Sequence, residues 1–244
     1  MALKLRDKVK IVVMTFPIVR PALALVYEWV ADLRRVGIIV QKDIEKSITL
    51  YVRSAMLGSI DSAFKLGLIT DNGLGVSPDY KTAFRWYSQA AVKGHEKAQH
   101  NVALMYYHGE GVKKDQAQAA AWCKRAALQG LAEAQYNLGM MYELGEGVPI
   151  DNFEAARWYI NAARRGVADA QNNLSLMYLE GRGVEKNSEE AIRWLRSAAE
   201  QGCVQAGQNL ALMLEEGREL PQNIAAAAGW RRKVRSLRQK NRSS

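Results

Sequence analysis

Leu131–Gly166 reads LAEAQYNLGMMYELGEGVPIDNFEAARWYINAARRG, and its skeleton reappears when the register is moved 36 residues in either direction. Trp86, Trp122, Trp158, Trp194 and Trp230 keep that spacing, as do Gly58, Gly94, Gly130, Gly166 and Gly202. A constant period between about 20 and 50 residues marks a repeat array, in which each unit buries its apolar face against its neighbours.

Two helices can be read inside the unit. Helix A spans about Ala132 to Leu144, with Ala134, Leu138, Met141, Tyr142 and Gly145 at spacings of three and four, the stripe of an amphipathic helix. Gly145-Glu146-Gly147 ends it, since glycine enters the left-handed C-cap conformation without a Cβ clash. Helix B starts at Asp151-x-x-Glu154, where the aspartate can accept first-turn N–H groups while the glutamate reaches back. Its apolar positions are Ala155, Trp158, Tyr159, Ala162 and Ala163, and Gly166 closes it. A short glycine turn makes the pair an antiparallel hairpin. Ala155 recurs as Ala83, Ala119, Ala191 and Ala227, and the Ala162-Ala163 pair as Ala90-Ala91, Ala126-Ala127 and Ala198-Ala199. Small residues let helix axes approach, which predicts one buried indole per repeat seated among alanines.

At these residues the chain resembles the Sel-one-like repeat (SLR) branch of the tetratricopeptide superfamily. That pattern is an A-x-x-x-L-G-x-x-Y helix, a G-x-G-V turn, an aspartate, then A-x-x-W-x-x-x-A-A-x-x-G. It is matched here by Ala134, Leu138, Gly139, Tyr142, Gly145, Gly147, Val148, Asp151, Ala155, Trp158, Ala162, Ala163 and Gly166. The resemblance covers Ser59 to about Lys233. It implies an all-α, right-handed α-solenoid of antiparallel helix pairs and an adaptor role in protein complexes. Some members are secreted, stapled by cysteines in every repeat and associated with β-lactam chemistry. This chain has only Cys123 and Cys203, which lie in different columns more than two repeats apart and read as free thiols.

Five 36-residue repeats are expected, 59–94, 95–130, 131–166, 167–202 and 203–238, preceded by a half repeat over 42–58. The outer copies are degenerate: Thr70 and Leu214 replace the helix A tyrosine, and Val234-Arg235 replaces the alanine pair. Residues 1–41 precede the array, and 239–244 form a basic tail end. A basic start, the apolar run Ile11–Val19 and Ala22-Leu23-Ala24 sketch a signal sequence cleaved near Ala24. Asp7, Pro17 and Arg20-Pro21 argue against it. The favoured reading is a helix from about Ala22 to Arg35, with Leu23, Val26, Val30 and Leu33 on one face. It would cap the first repeat or lie on an anionic membrane. The corresponding compartment is cytoplasmic or membrane-peripheral, with export as the alternative.

The net charge of +9 sits at the two ends: seven cations lie within 231–242, while the body is nearly neutral. Arg231, Arg232, Lys233, Arg235 and Arg238 are therefore candidate anion-binding residues. Nucleic acid is not an expected partner, since no aromatic interleaving follows Trp230. Neither a catalytic constellation nor a metal-ligand spacing is read, and no cofactor is expected. A fourth column, Asn101, Asn137, Asn173 and Asn209, reads either as a structural ladder or as a clamp on a partner's backbone.

Function is thus read as a non-catalytic scaffold binding another protein, a peptide or helix, along the helix A face opposite the packing stripe. The column Leu68, Leu104, Met140, Leu176 and Leu212 is apolar in every copy, with Phe64, His100, Tyr107, Tyr136 and Leu179 nearby. An apolar strip edged by Glu, Asn and Gln has the profile of a partner-binding patch. Core packing against helix B is the alternative for this column. A membrane or nucleic-acid tether through the basic ends is a second functional reading, and an exported cell-wall or β-lactam-related enzyme a third.

Overall fold

The computed structural model describes residues 19–36 and 43–242. Among these the chain forms helices and no strand: α1 Val19–Val36, α2 Ile44–Met56, α3 Ile60–Asn72, α4 Tyr80–Val92, α5 Glu96–His108, α6 Gln116–Leu128, α7 Ala132–Leu144, α8 Asn152–Arg164, α9 Ala168–Glu180, α10 Ser188–Glu200, α11 Val204–Glu216 and α12 Ile224–Arg242. The fold is an α-solenoid of helix hairpins. It divides into two compact units, Met1–Asp115 and Gln116–Ser244, and within each every helix packs on the next. The basic start and most of the apolar run of the signal-sequence reading lie outside the described residues, as does 37–42.

The helix ends follow the local chemistry. Gly73, Gly109, Gly145, Gly181 and Gly217 close helix A with φ between 65° and 82°. Asp43, Asp79 and Asp151 cap helix B by accepting first-turn N–H groups. The expected reach of Glu154 back to the cap does not form: its carboxylate takes Arg157 and the Trp158 indole N–H instead. The second glycine of the turn has its own reason. A Cβ on Gly147 would stand 2.0 Å from the Gln116 carbonyl oxygen, so this residue is where the turn lies against the start of the preceding helix B.

The first described helix of unit 1, α1, takes the helix A place in front of α2 and so pairs with the expected half repeat. Ser47 and Ser54 donate to the Ala31 and Ala24 carbonyls at 3.0 and 2.8 Å, and both alanines are buried. The seam of α1 is thus alanine; of the expected face, Leu23, Val30 and Leu33 are only half-buried and Val26 is exposed. Leu25, Trp29 and Val36 are exposed as well.

In unit 2, Ala155, Ala156, Tyr159, Ala162, Ala163, Ala170, Leu174 and Met177 form one buried cluster, and Leu195, Ala198, Ala199, Ala206, Leu210 and Ala227 belong to the next. The expected burial of one indole per repeat holds for Trp158 alone; Trp86, Trp122, Trp194 and Trp230 are half-buried. A guanidinium or ammonium lies over Trp122, Trp194 and Trp230, supplied by Arg125, Arg193 and Lys233 at 4.2, 5.2 and 4.8 Å. The fully buried aromatic of helix B is the tyrosine one residue later, Tyr51, Tyr87 and Tyr159. A glutamine column adds polar ties: Gln99, Gln135 and Gln171 each donate an amide N–H to the carbonyl of Ala91, Ala127 and Ala163.

Candidate functional site

Helix A carries two neighbouring leucine columns with different fates. Leu66, Val102, Leu138, Leu174 and Leu210 point into the core and are at most 1% exposed. Two residues on, Leu68, Leu104, Met140 and Leu176 are only half-buried and Leu212 is 48% exposed. The first column lies against helix B; the second sits at the edge of the core, reaching both protein and solvent. Met140 and Tyr136 touch the buried cluster of α8 and α9, and Leu179 touches the next one.

In unit 1, Phe64 and Leu68 come together in an open cavity of about 360 Å³, shared with Ile69 and Leu74 and edged by Glu28, Arg35, Asp61 and Lys65. Phe64 stacks on the His95 imidazole at 4.2 Å. Lys65 bridges Glu28 and Asp32 at 2.9 and 2.7 Å. Burial would lower its pKa, but those two carboxylates outweigh it and the value rises. Asp32 also accepts the Tyr51 hydroxyl at 2.6 Å, so the cations and acids at this edge neutralise one another. Tyr107 is half-buried, with Lys114 over its ring, and His100 is half-buried on the same helix.

In unit 2, Asn209 and Leu212 share a second cavity of about 360 Å³ with Gln205, Gln208, Ala211, Arg231, Val234, Arg235 and Arg238. Two sets that were read separately from the sequence, the apolar strip and the basic run, therefore meet between α11 and α12. The basic run remains helical as far as Arg242. Its cations differ in their engagement: Arg231 pairs with Glu215, and Lys233 lies over Trp230.

The asparagines engage side chains of their own chain. Asn173 donates to the Tyr159 hydroxyl at 3.2 Å, and Asn101 bonds the Tyr87 hydroxyl in the same way. Asn209 donates to Asn172 Oδ1 at 3.2 Å. Burial pushes the Tyr87 and Tyr159 phenols well above the usual value, so both stay protonated as donors to Asp71 and Glu143. These tyrosines were not singled out from the sequence as polar anchors. The signal was present: each has a glycine twenty residues back and an acid sixteen residues back, Gly67 and Asp71 for Tyr87, Gly139 and Glu143 for Tyr159.

Among the described residues no group of three His, Cys, Asp or Glu side chains is placed to hold a metal ion, and no helix is long and apolar enough to cross a membrane. Burial pushes the Cys123 thiol up to about 12, which keeps it protonated and unreactive.

The comparisons agree with this geometry. The family model described as the Sel1 repeat matches residues 29–59, 60–95, 96–131, 132–167, 168–203 and 208–233. The first match joins the end of α1 to α2. A protective antigen present in uropathogenic Escherichia coli strains, displaying an SLR fold, is 33% identical with a TM-score of 0.82. The alignment covers 87% of this chain and 46% of that one, so this chain spans under half the antigen's length. A Sel1 repeat protein from Oxalobacter formigenes is 27% identical with a TM-score of 0.74, covering 86% of this chain and 84% of that one. An immunity protein from Pseudomonas aeruginosa, 18% identical with a TM-score of 0.53 over 89% of this chain and 82% of its own, shares the fold alone. No curated protein matches the sequence. Solenoids of this kind generally serve as protein-interaction scaffolds. With its repeats matched along most of its length, the chain belongs to the Sel1 repeat family.

Proposed function

We propose that this protein is a non-catalytic adaptor that holds a partner protein, as a peptide or helix, along the half-exposed face of its helices A. The observation that carries this reading is the contrast between the two leucine columns. A core needs only the first; the second keeps an apolar residue in every copy although Leu68, Leu104, Met140 and Leu176 are only half-buried and Leu212 is exposed. Retaining exposed apolar surface among polar residues costs solubility and is characteristic of binding patches. The asparagine column lies beside the strip; Asn173 and Asn209 each spend one amide N–H within the chain, which leaves the second for a partner's backbone.

Substituting Leu104 and Met140 together by serine tests the strip, with partner capture from native lysate and thermal melting as readouts. Lost capture at an unchanged melting temperature supports the groove. A loss of several kcal/mol in stability, as for emptied core positions, would make the strip structural and sink the reading.

One observation favours a second contact. Leu25, Val26, Trp29 and Val36 give α1 an exposed apolar face, with the exposed Arg20 and Arg35 on the same helix. Such a face suits the interfacial zone of an anionic membrane. Trp29 fluorescence that does not shift with anionic vesicles would remove this contact.

A further inference from the structure

The cavity between α11 and α12 is lined by a change of residue type that the rest of the array does not show. Where α8 and its turn carry Tyr159, Ala163 and Gly166, and α10 and its turn carry Leu195, Ala199 and Gly202, α12 carries Arg231, Arg235 and Arg238. In the interior copies none of these positions carries a charge, and the two alanines are buried beneath the following helix A. In α12 three replacements by the same cation fall at i, i+4 and i+7, on one face spanning roughly 10 Å at 1.5 Å per residue.

The three are not equivalent. Arg231 is held by Glu215 at the cavity wall. Arg235 and Arg238 are exposed and have no ion pair or hydrogen bond among the described residues. Facing them across the cavity, α11 presents Leu212, which is 48% exposed, and the Gln208 amide, which has no bond among the described residues. Val234 and Ala211 line the cavity as well, and both are buried.

We propose that this cavity binds an acidic segment of a partner protein, with carboxylates on Arg235 and Arg238 and an apolar side chain against Leu212. A guanidinium presents two parallel N–H donors that match a carboxylate, and such charge-assisted pairs are the strong hydrogen bonds of protein surfaces. The exposed leucine distinguishes this site from a general polyanion patch. A phosphodiester backbone or a lipid headgroup offers it nothing, and Glu215, which pairs with the lining residue Arg231, reduces the field that a polyanion would seek. The proposal deepens the adaptor reading, because Asn209 and Leu212 belong to the same helix A face, and it assigns that end of the face a partner of acidic, leucine-containing sequence.

The test uses the full chain and a fluorescein-labelled peptide, EDLEDLDDLE, followed by anisotropy at low and high salt. The acidic peptide binds and its counterpart with every acid replaced by the amide does not. Arg235→Gln with Arg238→Gln weakens binding about tenfold or more, the scale of losing charge-assisted bonds. Leu212→Ser also weakens it, and the melting temperature stays unchanged in each variant. Unchanged affinity in the double variant, or no binding of the acidic peptide to the parent chain, overturns the proposal. So does binding of phosphatidylserine vesicles or duplex DNA that depends on Arg235 and Arg238 and that the peptide cannot displace. The serine variants of Leu104 and Met140 lie in other repeats. Their failure to affect partner capture would sink the extended strip while leaving this cavity standing.

Discussion

The Tyr159 hydroxyl donates to Glu143 Oε2 across 2.7 Å, joining α8 to the α7 residue sixteen positions earlier in the same hairpin. The same separation recurs with different chemistry. Tyr87 donates to Asp71, Arg231 pairs with Glu215, and Leu195 lies in the cluster that Leu179 packs against. The residue twenty positions back varies in step. It is glycine opposite Tyr87 and Tyr159, but serine at 175 and alanine at 211, opposite Leu195 and Arg231. The α3–α4 and α7–α8 hairpins thus set a helix B tyrosine against a helix A glycine, whereas in the α1–α2 hairpin Tyr51 is fully buried opposite Ala31.

Gly139 is the space for the Tyr159 ring. A Cβ there would stand 2.7 Å from two ring carbons, and the ring has no slack because it is fully buried. Gly139→Ala should cost about 1–3 kcal/mol, as overpacking does, despite alanine's better helix propensity. Adding Tyr159→Leu should recover part of that loss, imitating the Ser175–Leu195 hairpin. Urea unfolding of the two single variants and the double variant checks the coupling; strict additivity would refute it.

The two helices of Leu131–Gly166 were legible to within about two residues at their boundaries, because Gly145, Asp151 and Gly166 act locally. Which of the Trp158 and Tyr159 columns is the fully buried one was not: both residues are buried in this repeat, but Trp86 is half-buried where Tyr87 is fully buried. Periodicity places both near the apolar face, and the choice depends on Gly139 and Glu143 in a different helix. The α1 seam was misread for a similar reason. Leu23, Val26, Val30 and Leu33 make the stronger apolar stripe, but Ser47 and Ser54 need carbonyls to bond, and the alanines Ala24 and Ala31 let α2 come close enough to reach theirs. The place of the Met140 column was legible in part: it was read on the face opposite the Leu138 stripe, with core packing as the alternative, and it sits half-buried at the edge of the core.

The tryptophans should divide by burial. Trp158 is 3% exposed and gives its N–H to Glu154 at 3.1 Å, so Trp158→Ala should cost about 3–5 kcal/mol. Trp194 is half-buried beneath Arg193, and Trp194→Ala should cost clearly less, since only part of its area leaves water. Urea midpoints of the two variants give the order; equal losses would show that the indoles are interchangeable core residues.

Acid should loosen unit 1 through His95. Its Nδ1 accepts the Ala98 N–H at 3.2 Å, capping α5, a role open only to the neutral ring. Burial lowers its pKa below the usual 6.5, while Asp61, 3.6 Å from Nε2, and Glu96 pull the other way and Lys97 adds to the lowering. The unfolded state then binds more protons on acidification than the folded state. Stability is full above 6.5 and falls as pH drops from there through the lower folded value. His95→Asn keeps a capping side chain that does not titrate and should flatten this part of the profile. Identical pH slopes in the parent chain and the variant would remove His95 from the account.

The two cysteines should react at very different rates in the native protein. Cys123 is 1% exposed, donates to the Ala134 carbonyl at 3.2 Å, and has its pKa pushed up to about 12 by burial. It has neither access nor thiolate at mildly alkaline pH. Cys203 stands just ahead of α11, half-buried and 3.5 Å from Asp169 Oδ1; burial is the main cause of its raised pKa and the carboxylate adds to it. Iodoacetamide followed by peptide mass spectrometry should therefore label Cys203 slowly and Cys123 far more slowly still, with both labelled fully in denaturant. The nucleophile is the thiolate, so raising the pH should speed Cys203 long before it reaches Cys123. Labelling of Cys123 at the rate of Cys203 in native buffer would mean that the α6–α7 hairpin opens readily, and would contradict its place in the core.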